Sequence, residues 1–202
     1  MDMTMPIIKG IYDVFQEKKY SFFIKGDYNL NIVGIRAYPG QINKFDDLMC
    51  LIYKVNSNWT IKTYPCTTDP GLYYMHNPMA VKGTAILKEG QYKSAFKIGY
   101  HQGKYEALVQ NKELPVYRDG NKDSKHDFDE SKVEIGMFGI NIHRATAVEG
   151  AESTQVDKWS AGCQVIASSN NFKEFMNIVN KAAKLYGKTF TYTLLNERDF
   201  NI

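Results

Sequence analysis

The sequence has no long hydrophobic run, and this absence excludes one class of protein. Its 202 residues contain no stretch of roughly 20 apolar residues, the length that a membrane-spanning helix needs. At the start of the chain, Lys18 and Lys19 follow the short apolar stretch, whereas a secretory signal has its basic residues first. We therefore expect no membrane insertion, and either synthesis in the cytoplasm with no recognisable signal peptide or a leader that has been removed.

The sequence also has little net charge and few cysteines. Its 25 Lys and Arg residues barely exceed its 22 Asp and Glu residues, and no basic run is longer than two residues, so we expect no nucleic-acid partner. The three cysteines, Cys50, Cys66 and Cys163, are odd in number and form no CxxC pair. This pattern excludes a disulfide framework and a thiolate zinc site. We expect neither a metal nor a cofactor.

The chain lacks repeats, low-complexity tracts and flexible linkers, which predicts a single domain over residues 1–202. Aromatic residues are abundant, with 14 tyrosines and 11 phenylalanines, and they favour strands. Ile8, Ile11 and Phe15 follow helical spacing, so residues 1–26 are interpreted as an N-terminal helix and its connection. The predicted fold class is mainly β (α+β).

Alternating and β-branched segments predict where the strands lie. Two such segments flank Asn56-Ser57-Asn58, which predicts a hairpin with a three-residue loop. After Cys163, residues 168–170 can cap one C-terminal helix, and Gly187 ends it. The other predicted strands are 28–37, 83–87, 95–100, 105–110, 116–118, 137–143 and a final strand at 188–195.

The residues best suited to chemistry lie between positions 139 and 166. A thiol becomes a nucleophile when a nearby base favours its thiolate, and His143 and Cys163 can form such a pair. Alternation along the predicted strand places Asn141 on the same face as His143. The small residues at 160–162 allow a sharp turn before the thiol, and its amide N–H groups can then bind an oxyanion.

A purely structural interpretation of this pair stays open. A chain with four histidines and three cysteines contains one such arrangement by chance. Cys50 and Cys66 are interpreted as core residues. The remaining histidines have no metal-ligand spacing and are assigned no role; they are His76, His101 and His126.

The acidic segment 119–130 offers a possible calcium site. Its Asp, Asn and Glu residues follow the ligand order of an EF-hand loop. However, Ser124 stands where the sharp turn needs glycine, and no helical pattern flanks the segment. We interpret the segment as a solvated acidic turn.

Three short segments resemble the catalytic signature of one enzyme family. Phe138 to His143 is similar to a Gly-Ile-His strand, and Ser160-Ala161-Gly162-Cys163 is similar to the Ser/Thr-His-Gly-Cys turn that follows it. Thr67 to Tyr73 is more weakly similar to a Thr-Pro-x-Gly-x-Phe segment. In this order, these segments resemble the L,D-transpeptidase (YkuD-type) family over residues 45–166.

The resemblance implies a β-sandwich domain and a reaction on peptidoglycan. Such enzymes attack a stem peptide between the L-centre of a diamino acid and D-Ala, form a cysteine thioester, and pass the acyl group to an amine or water. In this chain, Cys163 would be the nucleophile and His143 the base, oriented by the carbonyl or hydroxyl of Ser160. Gly162 and Cys163 would supply the oxyanion N–H groups. The substrate-binding candidates are Arg144 for a carboxylate, Trp159 as an apolar wall, and Asn141.

The chain departs from the family pattern next to the cysteine. Ala161 stands where the family has histidine, and Gln164 and Val165 replace a small apolar residue and an Arg or Asn. Fewer polar groups then remain to position an amine acceptor. We therefore expect hydrolysis to exceed cross-linking.

Two other functions remain open beside this one. A cysteine peptidase with another peptide substrate is possible, because a His and a Cys do not define specificity. A non-catalytic wall- or glycan-binding module with a decayed site would explain the changes at positions 161, 164 and 165. In the main prediction the partner is a peptidoglycan stem peptide and the site of action is the cell wall, where a phage-encoded enzyme would also act.

Overall fold

The computed structural model describes residues 4–200, which form three α-helices and eleven strands. The helices are α1 (Thr4–Glu17), α2 (Leu72–His76) and α3 (Ser169–Tyr186). The strands are β1 (Asn31–Arg36), β2 (Asp47–Val55), β3 (Asn58–Thr67), β4 (Thr84–Leu87), β5 (Gly90–His101), β6 (Tyr105–Gln110), β7 (Leu114–Asp119), β8 (Glu134–Gly136), β9 (Ile142–Arg144), β10 (Gln164–Ile166) and β11 (Thr189–Asn196).

Eight of these strands close into a barrel in the order β1-β11-β5-β6-β9-β10-β3-β2, and β4, β7 and β8 form a separate small sheet. The mainly β prediction is confirmed, whereas the predicted sandwich is not. Closure depends on β1, which pairs in parallel with β11 and antiparallel with β2. Local alternation cannot distinguish the two architectures, because both bury one face of each strand.

The hairpin between β2 and β3 was predicted, but its loop is one residue shorter than expected. Val55 pairs with Asn58, so only Asn56 and Ser57 form the turn. Both residues have positive φ angles, 50° and 64°, as in the tight turns that match strand twist. The carboxylate of Asp27 accepts hydrogen bonds from both turn amides, at 2.7 and 3.0 Å, and so stabilises the strained turn.

The predicted strand over residues 137–143 is wrong for most of its length. β8 ends at Gly136 in the small sheet, and β9 begins only at Ile142 in the barrel. The irregular segment between them is held by Gln110, whose Oε1 accepts the N–H groups of Phe138 and Ile140 at 3.0 and 2.9 Å. A side-chain amide therefore replaces the strand partner that the β-branched composition suggested.

The two long helices pack on different surfaces of the barrel. The predicted N-terminal helix is confirmed as α1, which buries Ile11 and Phe15 against Cys50. The predicted C-terminal helix is confirmed as α3, which buries Phe175 and Val179 in the main core. Since α3 follows β10 closely, it fixes the strand that leads out of the Cys163 turn.

Both ends of α3 match the sequence interpretation. The Ser168 side chain accepts a hydrogen bond from Asn171 N, and Gly187 follows the helix with φ of 89°. The final strand, β11, comes directly after it. Within residues 4–200, no helix is long and apolar enough to span a membrane.

Candidate active site

Cys163 and His143 meet because their strands are neighbours in the barrel. β9 and β10 run in parallel, with Val165 opposite His143. Gln164 N donates to Asn141 O at 2.9 Å, which places Cys163 at the entry to β10 beside the irregular segment. Cys163 and His143 line one cavity of about 470 Å³. The predicted pair is therefore brought to a single site.

The Cys163 thiol is half-buried and held by backbone groups. Its Sγ accepts the N–H of Asn141 at 3.4 Å and lies 3.5 Å from Gly139 O, to which the thiol can donate. Burial raises the pKa of the thiol to about 11, and the Asn141 N–H offsets only part of this effect. Within residues 4–200, the thiol makes no hydrogen bond to an imidazole. At neutral pH the resting cysteine is therefore a thiol that needs a base.

His143 is in the form that such a base requires. Its ring is only 3% exposed, and Nδ1 lies 2.8 Å from Arg144 O, which accepts the Nδ1 proton. In that tautomer Nε2 carries the free lone pair. Burial, followed by the neighbouring His101, lowers the pKa of His143 to about 3, although the bond to Arg144 O raises it. The imidazole is therefore neutral at pH 7, and the same burial that keeps it neutral makes it a weak acceptor for the proton of a thiol whose pKa is raised.

The side chain of Ser160 lies away from the imidazole that it was expected to orient. Its hydroxyl donates to Cys163 O at 2.8 Å and accepts Gly162 N–H at 3.1 Å. The groups beside His143 Nδ1 are instead the carbonyl of Arg144 at 2.8 Å and the hydroxyl of Tyr105 at 3.3 Å, which also donates to that carbonyl. Ser160 thus shapes the turn that presents the thiol.

The two predicted oxyanion donors differ in availability. Gly162 N–H is already bound to Ser160. The N–H of Cys163 has no hydrogen-bond partner among residues 4–200 and remains available. Gly162 is needed for another reason: its φ is +117°, and a Cβ would overlap the carbonyl oxygen of Ala85.

The three substrate-binding candidates occupy different surroundings. Trp159 lines the Cys163 cavity and is 44% exposed, as an apolar wall would be. The Asn141 side chain also faces that cavity but is bound to Gln110 N and His101. Arg144 follows His143 on β9, and alternation turns its side chain into a separate cavity, where its guanidinium lies 4.3 Å from the Tyr105 ring centroid.

His101 joins the site although the sequence assigned it no role. Its ring stacks on His143, and its Nδ1 accepts a hydrogen bond from Asn141 Nδ2 at 3.0 Å. His101 ends β5, and only the sheet order β5-β6-β9 brings it close to β9. Neither its spacing nor its turn-rich surroundings carried a signal for this contact.

The weakest of the three resembling segments packs directly on the cysteine turn. Gly71 N donates to Ser160 O at 2.9 Å, and a Cβ at Gly71 would overlap the backbone of Asp157. Gln164 Nε2 reaches Thr68 O at 3.3 Å. All three segments that carry the resemblance therefore converge on one site.

Neither the remaining cysteines nor the residues of the acidic segment line the Cys163 cavity. Cys50 and Cys66 are fully buried, and burial raises the pKa of Cys50 to about 12. In the acidic segment, Asn121 and Asp123 accept hydrogen bonds from nearby loop amides. Across the described part of the chain, no three His, Cys, Asp or Glu side chains are grouped to hold a metal ion.

Comparisons with protein-family models, curated proteins and solved structures find no match to this chain. The functional argument therefore rests on the geometry around Cys163 and on the three resembling segments.

Proposed function

We propose that this chain is a cysteine-dependent acyl-transfer enzyme of the L,D-transpeptidase type that acts on peptidoglycan stem peptides. One observation carries the proposal: Cys163 shares a cavity with a neutral His143 whose Nδ1 is fixed by a carbonyl group. That arrangement leaves Nε2 as the proton acceptor for the thiol. Membership of that family's domain type and action at the cell wall, including in a phage-encoded enzyme, belong to the same proposal.

In the proposed reaction, Cys163 accepts an acyl group from the peptide and then transfers it to a second acceptor. The thiol proton passes to His143 Nε2 as Sγ attacks the peptide carbonyl carbon. The Cys163 N–H donates to the oxyanion, the C–N bond breaks, and the imidazolium returns its proton to the leaving amine. Water or a second amine then attacks the thioester carbon and gives a proton to His143. The C–S bond breaks, and the leaving sulfur takes the proton from the imidazolium, which regenerates the Cys163 thiol.

The convergence of the resembling segments supports this substrate class. Gly71 contacts the Ser160 turn through a hydrogen bond, and glycine is required at both Gly71 and Gly162 by close backbone approach. The constraints fall on backbone shape, which is what a catalytic turn needs.

The residues beside the cysteine favour water as the acceptor. Gln164 and Val165 are fully buried, and Gln164 accepts a hydrogen bond from Tyr192 at 2.8 Å. Ala161 lines the cavity without a polar group. Because few fixed polar groups remain to hold an amine in attack geometry, we propose that hydrolysis exceeds cross-linking.

A binding module with a decayed site is the second candidate function. The observation that favours it is the raised pKa of the Cys163 thiol, together with the lack of a direct thiol–imidazole bond among residues 4–200. Such a module would bind peptidoglycan fragments and leave them unchanged.

Incubation with a purified disaccharide tetrapeptide separates these functions. We expect mass spectrometry to detect the disaccharide tripeptide as the main product. Cys163→Ser should abolish its formation, whereas Cys50→Ala, a matched change of a buried thiol outside the site, should retain it. Unchanged tetrapeptide with the wild-type protein would contradict the enzymatic proposal.

A further inference from the structure

The cavity around Cys163 is lined by positive charge without negative charge. Arg118 and Lys158 both line it. No aspartate or glutamate of residues 4–200 contributes to its lining. A cavity with this charge pattern favours an anionic ligand, because cationic side chains line it and no carboxylate among the described residues does.

Arg118 is held in place as a ligand-binding guanidinium would be. Its Nε donates to Glu134 at 2.7 Å and its Nη1 donates to Gly83 O at 3.1 Å. The guanidinium also lies 4.6 Å from the Phe138 ring centroid, and the side chain is only 12% exposed. Nη2 has no hydrogen-bond partner among residues 4–200. A guanidinium that is already held in place and keeps a free N–H donor loses little side-chain conformational entropy when it binds a carboxylate.

The positive charge of Arg118 is not cancelled by its ion pair. Glu134 also forms an ion pair with Lys82, so its single negative charge is shared between two positive charges. Lys158 also lines the Cys163 cavity, but its ammonium group lies 4.3 Å from the ring centroid of Tyr73, which lines a neighbouring cavity. Arg118 is therefore the better placed of the two cations to bind a ligand beside Cys163.

We propose that Arg118 determines substrate specificity by binding a free carboxylate of the peptide beside the bond that Cys163 attacks. This inference rests on the proposed function and names the substrate as an acid rather than an amide. Arg118 thereby takes the carboxylate-binding role that the sequence analysis gave to Arg144, whose side chain lines another cavity.

A pair of substrates tests this inference. The probe is the disaccharide tetrapeptide with its terminal D-Ala as either the carboxylate or the carboxamide. We expect the wild-type protein to prefer the carboxylate by about 10-fold or more in kcat/KM, the range of a charged hydrogen bond. Arg118→Gln should lose most of this preference, and Arg118→Lys should keep part of it. The matched control, Arg198→Gln, changes an arginine outside the Cys163 cavity and should retain it fully.

Equal wild-type rates for the two substrates would overturn the inference and leave the proposed function intact. A preference unchanged in Arg118→Gln would also overturn it. If the wild-type protein cleaves neither substrate, the test is calorimetric measurement of the binding of each substrate to Cys163→Ser. The inference is supported if Cys163→Ser binds the carboxylate substrate more tightly than the carboxamide and the double variant with Arg118→Gln loses this difference. Equal binding of the two substrates, or no binding of either, refutes it.

Discussion

The imidazole rings of His101 and His143 stack with their centroids 3.9 Å apart and their planes at 20°. Both rings are buried enough that the pKa of each is lowered, because burial disfavours the charged form. A proton on either ring is disfavoured further by a charge on the other. His101 is therefore placed to keep His143 neutral.

The first prediction concerns the pH dependence that follows from this stack. His143 acts as a base only when neutral, so the acidic limb of kcat/KM should follow its pKa, about 3. His101→Ala admits water and removes the neighbouring ring, so the pKa of His143 should rise and the limb should move to higher pH. His101→Phe preserves burial and should move it less. An acidic limb at the same pH in all three proteins would rule out this role for His101.

The second prediction concerns the reactivity of the three thiols. Cys163 is half-buried, whereas Cys50 and Cys66 are buried. In the native protein, iodoacetamide should therefore add one group, located at Cys163 by peptide mapping. Its rate should still rise with pH above neutrality, because burial raises the pKa of this thiol to about 11. Equal labelling of Cys50 would show that the described burial is wrong.

The third prediction separates the role of Ser160 from that of Arg144. Ser160→Ala removes the hydroxyl that binds Cys163 O and Gly162 N–H, so the turn should shift and kcat should fall by roughly 10- to 100-fold. The acidic limb of kcat/KM should not move, since the Arg144 carbonyl orients His143. A displaced limb in Ser160→Ala would instead assign Ser160 to the imidazole.

The fourth prediction uses two glycines with positive φ. Gly162 has φ of 117° and no room for a Cβ, whereas Gly150 has φ of 74° and open space around it. Gly150→Ala should cost only the backbone strain, about 1–2 kcal/mol in the free energy of unfolding. Gly162→Ala should cost at least about 2 kcal/mol more, because the Ala85 carbonyl must also move. Equal losses in urea titrations would contradict the steric account.

Local patterns predicted the elements that local interactions determine. Turn residues and alternation located the β2–β3 hairpin, and periodicity with the Ser168 and Gly187 caps located α3. The cysteine and histidine were found because a nucleophile and its base are recognisable residue types, and the parallel β9 and β10 strands bring them together.

Long-range pairing set the features that local patterns could not predict. Barrel closure depends on β1 pairing with β11, at the other end of the chain. The same kind of distant contact brings His101 onto His143. Arg144 was chosen for its position next to the base in the sequence, although alternation along the strand places it on the face opposite His143, where it lines a separate cavity.

The most direct test of the central claim is the intact mass of the protein after rapid acid quenching with the disaccharide tetrapeptide. The proposed reaction predicts an added mass equal to the disaccharide tripeptide acyl group, mapped to Cys163 and absent from Cys163→Ser. His143→Gln should accumulate it far more slowly. Tripeptide product formed by the wild-type protein with Cys163 unmodified at every quench time, and formed equally by Cys163→Ser, would contradict the account.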